Sequence, residues 1–251
     1  MKKLICAAVL FTLLVLSSAH AAGEVTLGQL IQRSKDAYSH VKDYSAVFYK
    51  KERSGNGLGE AEEIFLKFEA PFKIFMSWLN TAKKGLQVVY ERGKHGGKLA
   101  IHKPGLLLGL APVVFLDQNS PWVREGSASY DIEDAGIGTF LNDFSSAVSK
   151  AEKEGKLLVQ FLGAHDENGL KGNKVEVTFQ NTKRDEVYFA YRIIVIFEDA
   201  TGLPTGMTLY DWENQLIGIY EYRKLCLNTG LDEAFKREIN RHLYRVYKSG
   251  D

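Results

Sequence analysis

From residue 44 onward the spacing of apolar residues changes from helical to two, and the alternation recurs through five consecutive segments. Residues 44–53 form the first. Residues 62–69 then place Ile64, Leu66 and Phe68 on one face and Glu63, Phe65, Lys67 and Glu69 on the other. Residues 72–79 carry Phe72, Ile74, Met76 and Trp78, residues 85–92 carry Leu86, Val88 and Tyr90, and 98–102 close the series. A period of two predicts strands with one buried face. Turns at 54–59 and 93–97, and Ala70-Pro71, where proline cannot donate to a ladder, predict an antiparallel meander.

Helical spacing flanks this meander. Thr26 followed by Gln29 is a capping-box pattern. Leu27, Leu30, Ile31, Tyr38 and Val41 share one face beyond it, with Gln32, Arg33, Lys35 and Asp36 off that face. A second helical stripe, Phe140, Leu141, Phe144, Val148 and Ala151, follows Asp134-Ala135-Gly136-Ile137-Gly138, and Gly155 is placed to end that helix. Strands resume at 156–164, 173–180, 188–198, 205–212 and 216–225, separated by turn residues at 166–169, 199–204 and 213–215. A polar helix is expected near 232–244. The pattern gives ten strands and three helices in one α+β unit, with no internal repeat and no linker.

The N-terminus sets the compartment. Lys2 and Lys3 precede an apolar run from Leu4 to Leu16, and Ser17-Ser18-Ala19-His20-Ala21 supplies an A-x-A-type cleavage site. This is a secretory signal peptide, because the run falls short of the roughly 20 apolar residues of a membrane span. Cleavage near Ala21 leaves 22–251 as a single soluble domain with no transmembrane anchor. Removing Lys2 and Lys3 from the 32 basic residues leaves them one short of the 31 acidic ones. Such a balance offers no field for nucleic acid. Cys6 departs with the signal, so Cys226 is alone and no internal disulfide is expected. It reads as a small buried hydrophobe at a strand end. The core must hold unaided, and 14 Phe, 12 Tyr and 3 Trp can supply much of its area.

Reactive chemistry is not spelled out by motif. His40, His95, His102, His165 and His242 show no metal-ligand spacing. Asp166-Glu167-Asn168-Gly169 resembles the start of a calcium loop but lacks its closing acid, so a hairpin turn explains it better. There is no G-x-S-x-G elbow and no glycine-rich phosphate loop after a strand. No catalytic residue, metal ion or cofactor is expected. A hydrolase using carboxylates distant in sequence remains the third-ranked reading.

Apolar surface is the informative chemistry. One face of the meander carries Phe48, Leu66, Phe68, Met76, Trp78, Val88 and Tyr90, bulky side chains suited to lining a greasy cavity if sheet and helices do not fully close. Pro104–Phe115 carries no charge and includes three consecutive leucines, which a soluble monomer seldom exposes. Leu106, Leu107, Leu108, Val113 and Phe115 are accordingly expected to form a flap.

These features resemble the LolA/LolB/RseB-like superfamily of bacterial envelope proteins and, more closely, an uncharacterised family of secreted bacterial proteins within it. The matching stretches are Asp43-Tyr44-Ser45-Ala46-Val47-Phe48 with Lys51-Glu52-Arg53, and Ala70-Pro71-Phe72 through Trp78-Leu79. Asp134-Ala135-Gly136-Ile137-Gly138, Asp199-Ala200-Thr201-Gly202-Leu203-Pro204 and Leu227-Asn228-Thr229-Gly230-Leu231 with Phe235 also match. Ala128-Ser129-Tyr130 departs from that family's pattern, standing where a basic-histidine-proline lead-in is found. The resemblance implies an unclosed β-barrel with helices covering its concave face, and binding of lipid or lipoprotein acyl chains in the periplasm. The leading expectation is a periplasmic carrier or chaperone for such a hydrophobic ligand, handing it to a membrane or an envelope protein acceptor. A module that senses envelope state by docking a partner protein is the alternative.

Overall fold

The computed structural model describes residues 25–54, 57–103, 113–124 and 131–230, with 239, 241, 243 and 245. The expected signal peptide (1–21), Leu106–Leu108 and Ala128–Tyr130 lie outside the described residues. So does most of the helix expected at 232–244.

Helix α1 (Leu27–Ser39) begins as its capping box dictates. Thr26 Oγ1 accepts from the Gln29 N–H at 3.2 Å, and Gln29 Oε1 accepts from the Thr26 N–H at 2.9 Å. The first meander follows: β1 (Asp43–Ser54), the two-residue β2 (Gly57–Leu58), β3 (Glu62–Glu69), β4 (Lys73–Trp78), β5 (Gln87–Glu91), β6 (Leu99–His102) and β7 (Val114–Leu116). Beyond a short α2 (Pro121–Arg124), α3 (Ile137–Lys153) crosses the sheet, and Gly155 ends it in the left-handed region at φ 66°. The second meander is β8 (Leu157–Glu167), β9 (Leu170–Phe179), β10 (Arg192–Glu198), β11 (Pro204–Tyr210) and β12 (Leu216–Leu227).

All twelve strands join one sheet, ordered β7-β6-β5-β4-β3-β1-β12-β11-β10-β9-β8, with β2 on β1 and every pair antiparallel. Its two edges, β7 and β8, do not pair, so the α+β barrel stays unclosed. Local hairpins build each half. The Asn168-Gly169 loop, φ 55° and 77°, is the two-residue turn joining β8 and β9. The halves meet where β12 returns to β1, pairing Tyr44 with Leu227 and Glu52 with Gly218.

Three of the quoted motifs act as long-range clamps. The Asp43 carboxylate accepts from the N–H groups of Thr229 at 2.8 Å and Gly230 at 3.2 Å, fastening the ends of β1 and β12 together. Ser34 Oγ donates to the Gly202 carbonyl at 2.5 Å, fixing α1 to the β10–β11 turn. The phenol oxygens of Tyr222 and Tyr44 accept from the Gly136 and Ile137 N–H groups at the start of α3.

The inner face buries two apolar clusters. Leu66, Phe68, Ile74 and Tyr222 anchor one under the first meander, and Phe144, Val175, Val177, Phe179 and Ile193 anchor the other beneath α1 and α3. The outer face of β4–β6 departs from the one-sided expectation. Phe75, Val89 and Ala100 are covered there by Ile239 and Leu243, and Lys67 is buried to 1% exposure on a face that alternation assigns to solvent. Two further expectations are corrected. Cys226 is exposed, because β12 turns it away from the core two residues from Lys224, which has a positive φ of 52°. The strand expected at 188–198 starts only at Arg192, since the Asp185 carboxylate captures the N–H groups of Val187 and Tyr188 and bends the chain.

Candidate functional site: an apolar cavity between sheet and helix

The inner face is not filled along its whole length. At one end Tyr44 stacks on Phe68 with ring centroids 5.0 Å apart, and Phe72 meets Phe68 and Tyr90 edge-on at 5.5 and 6.0 Å. The phenol of Tyr90 donates to Glu133 just before α3, and Arg92 joins the same carboxylate. Burial first, then Glu133, pushes the Tyr90 phenol up to about 12. That end is solid.

Beyond it α3 stands off the sheet and leaves a cavity of about 690 Å³. The sheet contributes Phe48, Ile64, Met76, Trp78, Val88 and Ile101, with Val114 and Leu116 at its β7 edge. The roof brings Ile132, Ala135 and Phe140, and the second meander brings Phe189, Met207, Leu209, Tyr220 and Tyr222. This volume and apolar lining fall within the range of small-molecule sites.

Of the face expected to bind ligand, Phe48, Met76, Trp78 and Val88 line the cavity, whereas Leu66, Phe68 and Tyr90 lie in the packed end. Of the residues expected to form a flap, Val113 and Phe115 pack on the outer face beside Phe75, with the Phe115 ring 4.9 Å from that of His95. Their neighbours Val114 and Leu116 face the cavity instead. In the continuous apolar run Val113-Val114-Phe115-Leu116 alternation is invisible, so its parity could not be read from residue type. Phe189, Met207, Leu209 and Tyr220 also line the cavity, and no local sequence pattern marks them out. Each sits on an apolar stripe, but nothing local says that β12 would return beside β1.

Charge collects at the mouth. Register places Lys50 opposite Glu62 and Ile64 opposite Trp78, so these residues meet at one end of the cavity. Glu62 accepts from Lys83 at 2.6 Å and from the Trp78 indole at 3.1 Å, and lies 3.5 Å from Lys50. Burial raises its carboxyl, but the two lysines and the indole outweigh this and hold it below its ordinary value. On the helical side Asp131 and Asp134 cap the turn that precedes α3, Asp134 accepting from the Asp131 N–H at 2.9 Å. Asp143 follows on α3, its carboxyl raised by burial and by the Asp134 charge. Among the described residues no cluster of three or more His, Cys, Asp or Glu could hold a metal, and no helix is long and apolar enough to cross a membrane. What the arrangement offers is non-covalent burial of an apolar group.

The fold is similar to several solved structures. The lipoprotein LppX from Mycobacterium tuberculosis shares 10% identity at a TM-score of 0.46, over 82% of this chain and 99% of that one. A LolA superfamily protein from Nitrosomonas europaea shares 9% at 0.37, over 84% and 97%. The MucA/MucB complex of Pseudomonas aeruginosa includes a chain that shares 14% at 0.44, over 82% and 58%. No curated protein matches the sequence. Residues 41–242, which run from just before β1 to beyond β12, match one family, and the chain belongs to it: the protein of unknown function family DUF1571.

Proposed function

We propose that the protein is an exported carrier or chaperone that holds a hydrophobic ligand, the acyl chains of a lipid or lipoprotein, without a covalent step. The observation that carries this reading is the cavity of about 690 Å³ lined by apolar side chains from both sheet and helix. Residues 1–21 act as the signal peptide, and 22–251 work as a single domain in the periplasm. Phe48, Met76, Trp78 and Val88 contact the ligand, and Leu66, Phe68 and Tyr90 support them from the packed end. Leu106, Leu107 and Leu108, outside the described residues, are assigned the role of flap together with Val113 and Phe115. Each buried methylene contributes about 0.8 kcal/mol, so about ten of them supply roughly 8 kcal/mol before binding costs. Release then needs a membrane or an envelope protein that takes over the burial.

Titration with the neutral fluorescent probe N-phenyl-1-naphthylamine tests the reading. Saturable enhancement reversed by about one equivalent of a long-chain lipid supports it. Absence of enhancement, or enhancement that lipid does not reverse, contradicts it.

A further inference from the structure

The charges around the cavity are unequally committed. On the helical side Asp131 and Asp134 form the capping box of the turn before α3, and Asp143 follows on the helix. At the opposite mouth Glu62 is already satisfied by Lys83 and the Trp78 indole, with Lys50 beside it, while Lys50 also reaches Glu52 at 2.9 Å. Lys103 follows directly on β6, whose last residue His102 pairs with Gln87 of β5. It lines the same mouth and makes no ion pair or hydrogen bond among the described residues. Among the described residues the sheet-side mouth therefore carries Lys50, Lys83 and Lys103 against Glu52 and Glu62, one cation in excess. That excess sits on an exposed ammonium whose three donors have no partner among the described residues.

Resting on the carrier reading, we propose that the ligand is an amphiphile with an anionic head, a carboxylate or a phosphate, which seats at Lys103 and the lysine mouth while its chain runs along Met76 and Val88. The aspartates on the helical side disfavour the reverse orientation. A cationic head would meet the excess lysine charge at the mouth, and a neutral head would leave the Lys103 donors to water.

Competition against N-phenyl-1-naphthylamine at low salt tests this, using dodecanoate, dodecyl phosphate, dodecanol and dodecylamine. The two anions should displace the probe at concentrations about threefold or more below those of the alcohol, the size of one partly screened charge pair. Which anion is stronger distinguishes a fatty-acid from a phospholipid source. The anion-to-alcohol ratio should shrink in Lys103→Gln, fall further in Lys103→Glu, and decline as salt is raised. Equal displacement by all four, or the amine competing best, overturns the head-group assignment while leaving the carrier reading intact. Failure of all four to displace a bound probe overturns both.

Discussion

The phenol oxygen of Tyr44, on the first strand, accepts a hydrogen bond from the backbone N–H of Ile137, 93 residues later, at 3.2 Å. Tyr222 does the same for Gly136 at 3.1 Å. Gly136 has no side chain to cap α3, so two fully buried tyrosines from β1 and β12 satisfy the donors at its start. This fixes where α3 lands, and with it the closed and open ends of the cavity. Tyr44→Phe or Tyr222→Phe should each cost about 1–3 kcal/mol in urea unfolding, the penalty for a buried donor left unpaired. A loss indistinguishable from zero would mean that water replaces the phenol.

The same pair makes an alkaline prediction. Burial, the leading cause for both phenols, pushes Tyr44 and Tyr222 above the ordinary value of 10.0. A group raised on folding contributes stability that is full below its unfolded value and is lost as pH rises through the folded one. Urea midpoints should therefore hold to about pH 10 and fall above it. The fall should be shallower in the Tyr44→Phe/Tyr222→Phe double variant. Equal slopes would contradict the assignment.

Gly138 is the second residue of α3, where an added Cβ would sit 2.3 Å from the Tyr38 ring. Helix propensity favours Gly138→Ala by about 1 kcal/mol. The clash should reverse that sign and lower the thermal midpoint. A raised midpoint would show that α3 can retreat from α1.

Cavity and core respond differently to added bulk. Ile101 is half-buried on the cavity wall, whereas Leu66 has no exposure in the packed end. Ile101→Trp should weaken probe binding at little cost in stability, while Leu66→Trp should cost about 1–3 kcal/mol or more by overpacking. Similar destabilisation by both would mean that the cavity wall is ordinary core.

Much of this architecture was legible because its causes are local. Thr26 and Gln29 announce α1, Asn168-Gly169 announces a hairpin, and alternation in β3–β5 separates Ile64 from Glu63. What escaped depends on partners remote in sequence. Lys67 looks solvent-facing until Ile239 and Leu243 cover its face, and Cys226 looks like core until β12 turns it outward. The split of Val113 and Phe115 from Val114 and Leu116 is likewise invisible in an unbroken apolar run. The cavity itself is a matter of how far α3 stands from the sheet, set by Tyr44, Tyr222 and Tyr38. A list of apolar residues therefore named Phe48, Met76, Trp78 and Val88 together with Leu66, Phe68 and Tyr90, and could not tell which four would be left facing space.

Native mass spectrometry of the purified protein tests the central claim most directly. The account predicts added mass that disappears on organic extraction and is diminished in Ile101→Trp. A clean apo mass from gentle purification, with no uptake of lipid supplied afterwards, would contradict it.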